Sequence, residues 1–437
     1  MKRQTTQDGV VSVLAVIFLA MFAAMGIAYA AATNNSMLQA DNLSSVQNAQ
    51  LQADSGLEYF THVLRQVQIP SGLSGQDLLA AVELAVAAPL NTEITAGGTD
   101  RGFTAALAAD DRTISLTVSG RAGAIRRAIS MDFEVVPGGS AVFHRGVSSM
   151  GSIEMMGNAR LIGLNLPGEA DVYSGTYATD EAYNLTGNCS IDGDIYAASP
   201  DAYATITGSV SIAGEGIWSD DILDHIHMGT GDEEFPEVNP AVFEPFATSV
   251  VDADTSTGGN ITFSNIRILA NVNPSFSGNI NLNGVTFVEQ PNDVQFTGNI
   301  NITGVIVTED AGDGAYESNK ITFTGNTTVR GVEQLPDSPE YAELKQMPGS
   351  FLLAPGFGVE FTGNFGTVSG TMAADKFTFT GNAGGTVQGS IVCYSDAELT
   401  LTGNSNLTFD RSTSPSIPPG FTTPDTLDPA PATYREH

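Results

Sequence analysis

From Val10 to Ala32 the chain carries no charged residue. A helix over those 23 residues would be about 35 Å long, enough to span a bilayer. Beyond it Leu43, Val46, Gln50, Ala53, Leu57, Phe60, Leu64 and Val67 alternate in steps of three and four, and no proline intervenes before Pro70. That spacing predicts one amphipathic helix that continues the apolar run, a spine over residues 10–69. Periodicity then weakens. Leu78, Leu79, Val82 and Leu84 mark a short helix from Gly75 to Leu90 that ends near Pro89. Runs at 103–109, 113–119 and 124–136 read as strands, with Asp110-Asp111 at one turn and Gly120 and Gly123 at the next. Residues 70–139 are therefore expected to form a small α/β head.

From Met155 onward the chain repeats an apolar-Ser/Thr-Gly-Asn unit. Its clearest copies are Phe276-Ser277-Gly278-Asn279, Phe296-Thr297-Gly298-Asn299, Phe323-Thr324-Gly325-Asn326, Phe361-Thr362-Gly363-Asn364 and Phe379-Thr380-Gly381-Asn382. Leu185-Thr186-Gly187-Asn188 and Leu401-Thr402-Gly403-Asn404 are variants, and Gly157-Asn158 is a degenerate early copy. Closest neighbours are 18 to 22 residues apart. A period near 20 with short alternating runs suits one coil of a right-handed parallel β-helix over residues 140–411. In that arrangement each Gly turns a corner, each Phe stacks inward, and Asn188, Asn279, Asn299, Asn326, Asn364, Asn382 and Asn404 form a hydrogen-bonded ladder. A sandwich of repeated hairpins is the alternative. Residues near 220–250 and 333–353 break the period and read as insertions outside the coils. The prolines after Ser412 read as a disordered tail over 412–437.

Charge narrows the function. Seventeen Lys and Arg oppose 49 Asp and Glu, a net charge of −32. This excludes nucleic acid as a partner, since such binding needs clustered cations. Lys2 and Arg3 precede the apolar run and the next cation is Arg65, so the positive-inside rule leaves a short cytoplasmic N-terminus and places the body outside the cytoplasm. Two cysteines, Cys189 and Cys393, sit in early and late coils and are expected to be far apart, unpaired and buried.

The stretch Asp8-Gly9-Val10-Val11-Ser12-Val13-Leu14, the apolar helix, and Gln52-Ala53-Asp54-Ser55-Gly56-Leu57-Glu58-Tyr59 together resemble the N-terminal region of PilX-type pilus-assembly proteins. The resemblance covers about residues 1–65. It implies a leader over residues 1–9, processing between Gly9 and Val10, retention of the helix in the membrane, and other pilin-like subunits as partners. Leu14 stands where ordinary type IV pilins carry Glu, Val10 where they carry an aromatic, and Asp54 where the PilX-type signature has Glu. Two further readings of the N-terminus stay open: an uncleaved anchor, and a signal peptide cut after Ala28-Tyr29-Ala30.

Catalytic chemistry finds little support. Cations between Met155 and Asp410 are few and occupy no matching positions of adjacent coils, so no enzyme, catalytic residue or cofactor is expected. His225 and His227 share a strand face and could hold a metal with Asp221 or Asp224. Asp310, Asp313 and Glu317 offer oxygen ligands beside Gly312 and Gly314, without a complete calcium-loop spacing. Both are weak metal candidates, and solvated loops are the simpler account. The chain is thus expected to be a mainly β, pilin-like structural or pilus-assembly protein that displays a rigid β-solenoid, for surface display or adhesion to a glycan or other surface ligand. An exported β-helix carbohydrate-active enzyme and a non-catalytic glycan-binding surface protein are the alternatives.

Overall fold

The computed structural model describes residues 8–87, 90, 92–95, 100–412, 414–415 and 417–437, with side chains from Val13 onward in the first helix. Leader residues 1–7 and Pro89 lie outside the described residues, as do the side chains of Gly9 and Val10. The protein is mainly β with a long N-terminal apolar helix. It divides into two compact units, one running to Gly138 and taking back Pro424–His437, the other Gly139–Thr423.

The first unit is built on α1 (Asp8–Arg65). The stretch from Val13 contains a segment long and apolar enough to cross a membrane, and none of that segment is buried in the fold. Burial begins at Ala49 and continues through Ala53, Phe60 and Leu64, the face that the three-four spacing marks. This half packs on an antiparallel sheet of β1 (Ile94–Thr95), β2 (Arg101–Asp110), β3 (Thr113–Ala122) and β4 (Ile125–Val136). Two glycines permit the close approach. A Cβ on Gly120 would lie 2.1 Å from the Ala49 carbonyl oxygen, and one on Gly56 would lie 2.6 Å from Val118. Gly120 is therefore a packing position inside β3 rather than part of a turn, which falls at Gly123 with φ +58°. Helix α2 (Gly75–Ala85) buries Leu78 and Val82, while Leu84 faces solvent.

The tail expected to be disordered is the fifth strand of this sheet. Thr426–Glu436 pairs antiparallel with β4, Thr426 opposite Val136 and Leu427 opposite Val135. Its prolines are compatible with a strand because Pro429 lies on the sheet edge, where a missing N–H need cost nothing. Asp425 locks the strand entry, exchanging backbone bonds with Ile69 and accepting from Arg112 at 3.0 Å.

The second unit is a stack of parallel strands, with the repeats laid level over level. Asn260, Asn279, Asn299 and Asn326 are register partners in succession, and Gly284 lies opposite Gly304. Among the described residues of this unit the pairings are parallel except for the hairpin that joins Ser211–Ile212 to Glu215–Gly216 and the short pairing of Glu237–Val238 with Phe421–Thr422. Inside, Phe276, Phe296, Phe323, Phe361 and Phe379 form a continuous column with centroid separations of 4.7 to 5.3 Å and interplanar angles of 14° or less. The corner glycines divide into two kinds. Gly278 and Gly403 adopt φ of +94° and +78°. Gly298 and Gly325 have no such backbone, but a Cβ there would lie about 2 Å (2.1 and 1.9 Å) from a glycine carbonyl of the level before. Close approach, not handed backbone, requires glycine at these two.

The levels do not follow chain order. Val147–Ser149, Ile153–Gly157 and Arg160–Gly163 pair with Ile391–Cys393, Leu399–Gly403 and Asn406–Phe409, so the first level lies on the last. The levels of 172–191 and 195–212 continue outward from it. The chain starts inside the stack, adds outward, returns along the excursion after Ile212, and restarts at the opposite end. The segment 229–248, about 20 residues, can reach roughly 70 Å, ample for a return past ten steps of about 4.8 Å. The excursion is not a solvated loop. Phe243 and Ala247 join Val332, Leu335, Tyr341 and Leu344 in a second apolar layer over Val285, Phe287, Val305 and Val307. These strand segments are covered on both faces, which explains their unbroken apolar runs. Ile226–Met228, inside the expected 220–250 insertion, pairs with Ile195–Ala197, and the later insertion ends at Gly349 because Ser350–Phe361 is a strand. Within it lie short 3₁₀ turns, Pro339–Tyr341 and Leu344–Gln346.

This order also corrects the cysteine argument. Cys393 lies opposite Ser149, and Cys189 belongs to the next level outward, about 10 Å along the stack rather than at its far end. Both thiols are buried and free, and they point to different carbonyls, Cys393 to Asp375 at 2.9 Å and Cys189 to Met155 at 3.4 Å. Burial pushes the Cys393 thiol up to about 11.

Candidate functional site

The repeated corner brings most of the predicted asparagines into one row. The Asn299 amide donates to Asn279 at 3.0 Å and Asn326 donates to Asn299 at 3.3 Å. Asn364 keeps the register, since its neighbour Phe365 lies opposite Thr327, but among the described residues no amide bond joins it to the row. The row resumes where Asn404 donates to Asn382 at 3.2 Å. It then crosses to the early repeat, Asn158 donating to Asn404 at 2.8 Å and Asn188 to Asn158 at 3.4 Å. Asn158 is a full rung that the sequence ranked as degenerate. Its Gly-Asn pair was the available signal, and only the stacking order was missing.

Strands on the two sides of this corner differ in charge. Before it, Asp293 pairs with Lys320, Glu360, Lys376 and Glu154 lie on the strands of other levels, and Glu398 immediately precedes one. After it, segments 260–264, 279–283, 299–303, 326–330, 364–369, 384–388 and 404–408 contain no Asp, Glu or Lys and a single Arg, Arg330, opposite Thr303. At the chain's 15% charged content about five charges would fall there by chance, against the single Arg330 present. The exposed and half-buried positions of these segments carry mostly Asn, Thr, Ser and Gln. Rows cross the levels here too: Thr262, Asn281, Asn301 and Thr328 are successive register partners, and Ser369 donates to Gln388 at 2.7 Å. A groove of about 510 Å³ opens on this face where the early and late repeats meet, lined by Asn158, Arg160, Ile162, Asn188, Asn404 and Asn406.

The weak metal candidates separate. His225 and His227 do share a partner, but it is Asp194 and neither Asp221 nor Asp224. His225 Nδ1 lies 2.7 Å from one carboxylate oxygen and His227 Nε2 lies 3.1 Å from the other. The residues between Asp194 and the histidines fold away, so their proximity depends on the parallel pairing of 195–197 with 226–228. His227 also stacks on Tyr196 at 4.6 Å, whose other neighbour is the Arg145 guanidinium at 3.9 Å. Asp310 accepts from the Gly312 N–H at 2.8 Å, and Glu317 lies within 4.0 Å of both Lys320 and Lys376. Among the described residues no group of three His, Cys, Asp or Glu is placed to hold a metal ion.

Asp310 and Asp313 line a larger cleft of about 870 Å³ with Asp375, Tyr316, Tyr394 and Asp396. Asp375 is 4% exposed and accepts from the Gly356 N–H at 2.8 Å, which ties the turn at Gly356 to the next level. Burial, reinforced by Asp313 and Asp310, pushes its carboxyl above the usual range.

No family model and no curated protein matches the chain. Among solved structures, the competence-associated pilin ComZ from Thermus thermophilus is similar at 12% identity and a TM-score of 0.28, over 90% of this chain and 97% of that one.

Proposed function

We propose that the chain is a membrane-anchored, pilin-like structural or pilus-assembly protein whose repeats form a right-handed parallel β-helix displayed outside the cytoplasm. The observation that carries this reading is the division of labour along α1. Its first part is apolar and uncovered, as a lipid- or subunit-buried segment requires. Its second part packs through Ala49, Ala53, Phe60 and Leu64 onto an antiparallel sheet. A cleavable signal peptide has no need of such a continuous extension. The level-over-level parallel register supports the β-helix, and right-handed crossover is the rule for parallel connections. Other pilin-like subunits are the partners this anchor fits. In this reading the β-helix is a structural and display element without catalytic activity.

The test is the first residue of the mature protein, read by mass spectrometry on material from the native cell. A start at Val10 supports prepilin-type processing. A start at Met1 leaves an anchored protein outside the filament machinery, and a start near Ala31 refutes the anchor itself.

A further inference from the structure

We propose that the polar, carboxylate-free face after the asparagine corner binds an uncharged polysaccharide chain, with the groove between Asn404 and Asn188, which also holds Arg160, as its best-formed subsite. The first argument is electrostatic. A protein of net charge −32 repels polyanions, and this face has no carboxylates along seven strand segments with which to attract cations. The partner it fits is neutral. The second argument is hydrogen-bonding capacity. Each asparagine amide has two N–H donors and two acceptor sites, and a ladder contact uses one of each. The remainder faces outward from side chains whose orientation is fixed by the rungs above and below, so little ordering cost remains for a ligand. Sugar hydroxyls, which both donate and accept, complement that array. The third argument is dimension. Rungs recur at about 4.8 Å, close to the length of one sugar residue in an extended chain, so successive residues can meet equivalent amides. In the groove Ile162 supplies an aliphatic floor and Arg160 a planar donor, beside four asparagines.

This inference rests on the display reading for its setting, since such polymers lie outside the cytoplasm. Its test does not. Full-length protein in detergent is titrated calorimetrically with cellohexaose, maltohexaose, mannohexaose and xylohexaose, with hexagalacturonate as the charged comparator. At least one neutral hexasaccharide is expected to bind below about 1 mM. Asn188→Ala combined with Asn406→Ala is expected to weaken it about tenfold, with the urea midpoint showing that the fold persists. No binding by any neutral hexasaccharide, equal binding of hexagalacturonate, or unchanged affinity in a folded double variant would each overturn the proposal. A mature start at Met1 would remove the pilin reading and leave this result standing.

Discussion

Removing the inserted unit should leave the first unit folded. The chain leaves β4 at Val136 and returns at Thr426, which is its register partner in the same sheet. Replacing Gly139–Thr423 by Gly-Ser leaves a connection of six residues, from Pro137 to Asp425, and keeps the Asp425 contacts with Ile69 and Arg112. A folded insert holds its own ends, so its length costs the sheet little. An unfolded insert of 285 residues is a loop, and closing it costs about 3 kcal/mol more than closing six. The excised protein is therefore expected to match the intact one in native conditions. Once the insert is unfolded, the intact protein should lose about 3 kcal/mol of the stability of its first unit relative to the excised form. Hydrogen exchange read by mass spectrometry reports this directly, through the amides of β3, β4 and Thr426–Glu436. Loss of protection in those strands on excision, in native buffer, would refute the reasoning and make the sheet dependent on the insert.

Three further outcomes are expected. Phe323 is 1% exposed and stacks between Phe296 at 4.8 Å and Phe361 at 4.7 Å, so Phe323→Ala should cost about 5 kcal/mol in urea unfolding and Phe323→Leu about 1–2 kcal/mol. Gly298→Ala should cost more than Gly381→Ala: the first puts a Cβ 2.1 Å from backbone, about 2–4 kcal/mol, while the second meets its nearest atom at 3.4 Å and loses about 1 kcal/mol to its φ of +68°; equal midpoint shifts would count against the close-approach account. Asp375 has its pKa raised by burial, so its stabilising contribution is full below the unfolded value near 3.8 and is lost as pH rises through the folded value; Asp375→Asn should flatten the stability profile of the second unit between those two values, and an unchanged slope there would assign it to other carboxylates.

What the sequence showed follows from what is local. The three-four spacing to Leu64, the alternation through Ile129, Met131, Phe133 and Val135, and the Phe-Thr-Gly-Asn corners all act within a few residues of themselves. The asparagine rungs were legible for the same reason. The misses are long-range. Nothing near Asn158 announces that its neighbour is Asn404, and nothing near His225 points to Asp194. Phe243 looks like an isolated aromatic among prolines until the outer surface of Val285 and Phe287 is known to be apolar. The proline-rich end is the instructive case. Composition favoured disorder, but an edge strand asks little of a proline, and Leu427, at 2% exposure, anchors the strand in the core.

The unexpected stacking order has its own logic. An insert placed between two paired strands must begin and end near one point, because Val136 and Thr426 are only about 5 Å apart across the ladder. A stack wound in chain order has its first and last levels at opposite ends. Nine steps of about 4.8 Å would separate them by roughly 43 Å, a distance that residues 137–146 and 410–425 would have to span between them. Starting in the interior removes the conflict. The segment before Val147 then lies beside the segment after Phe409: Gly146 accepts from Ile391, Ser390 donates to Arg145 at 2.7 Å, and the rings of Phe143 and Phe421 lie 4.9 Å apart. The one long return is carried by the excursion after Ile212, and its length is offset by the apolar layer it contributes. By this argument the interior start lets the repeat begin and end near these two strands without a long return outside the stack.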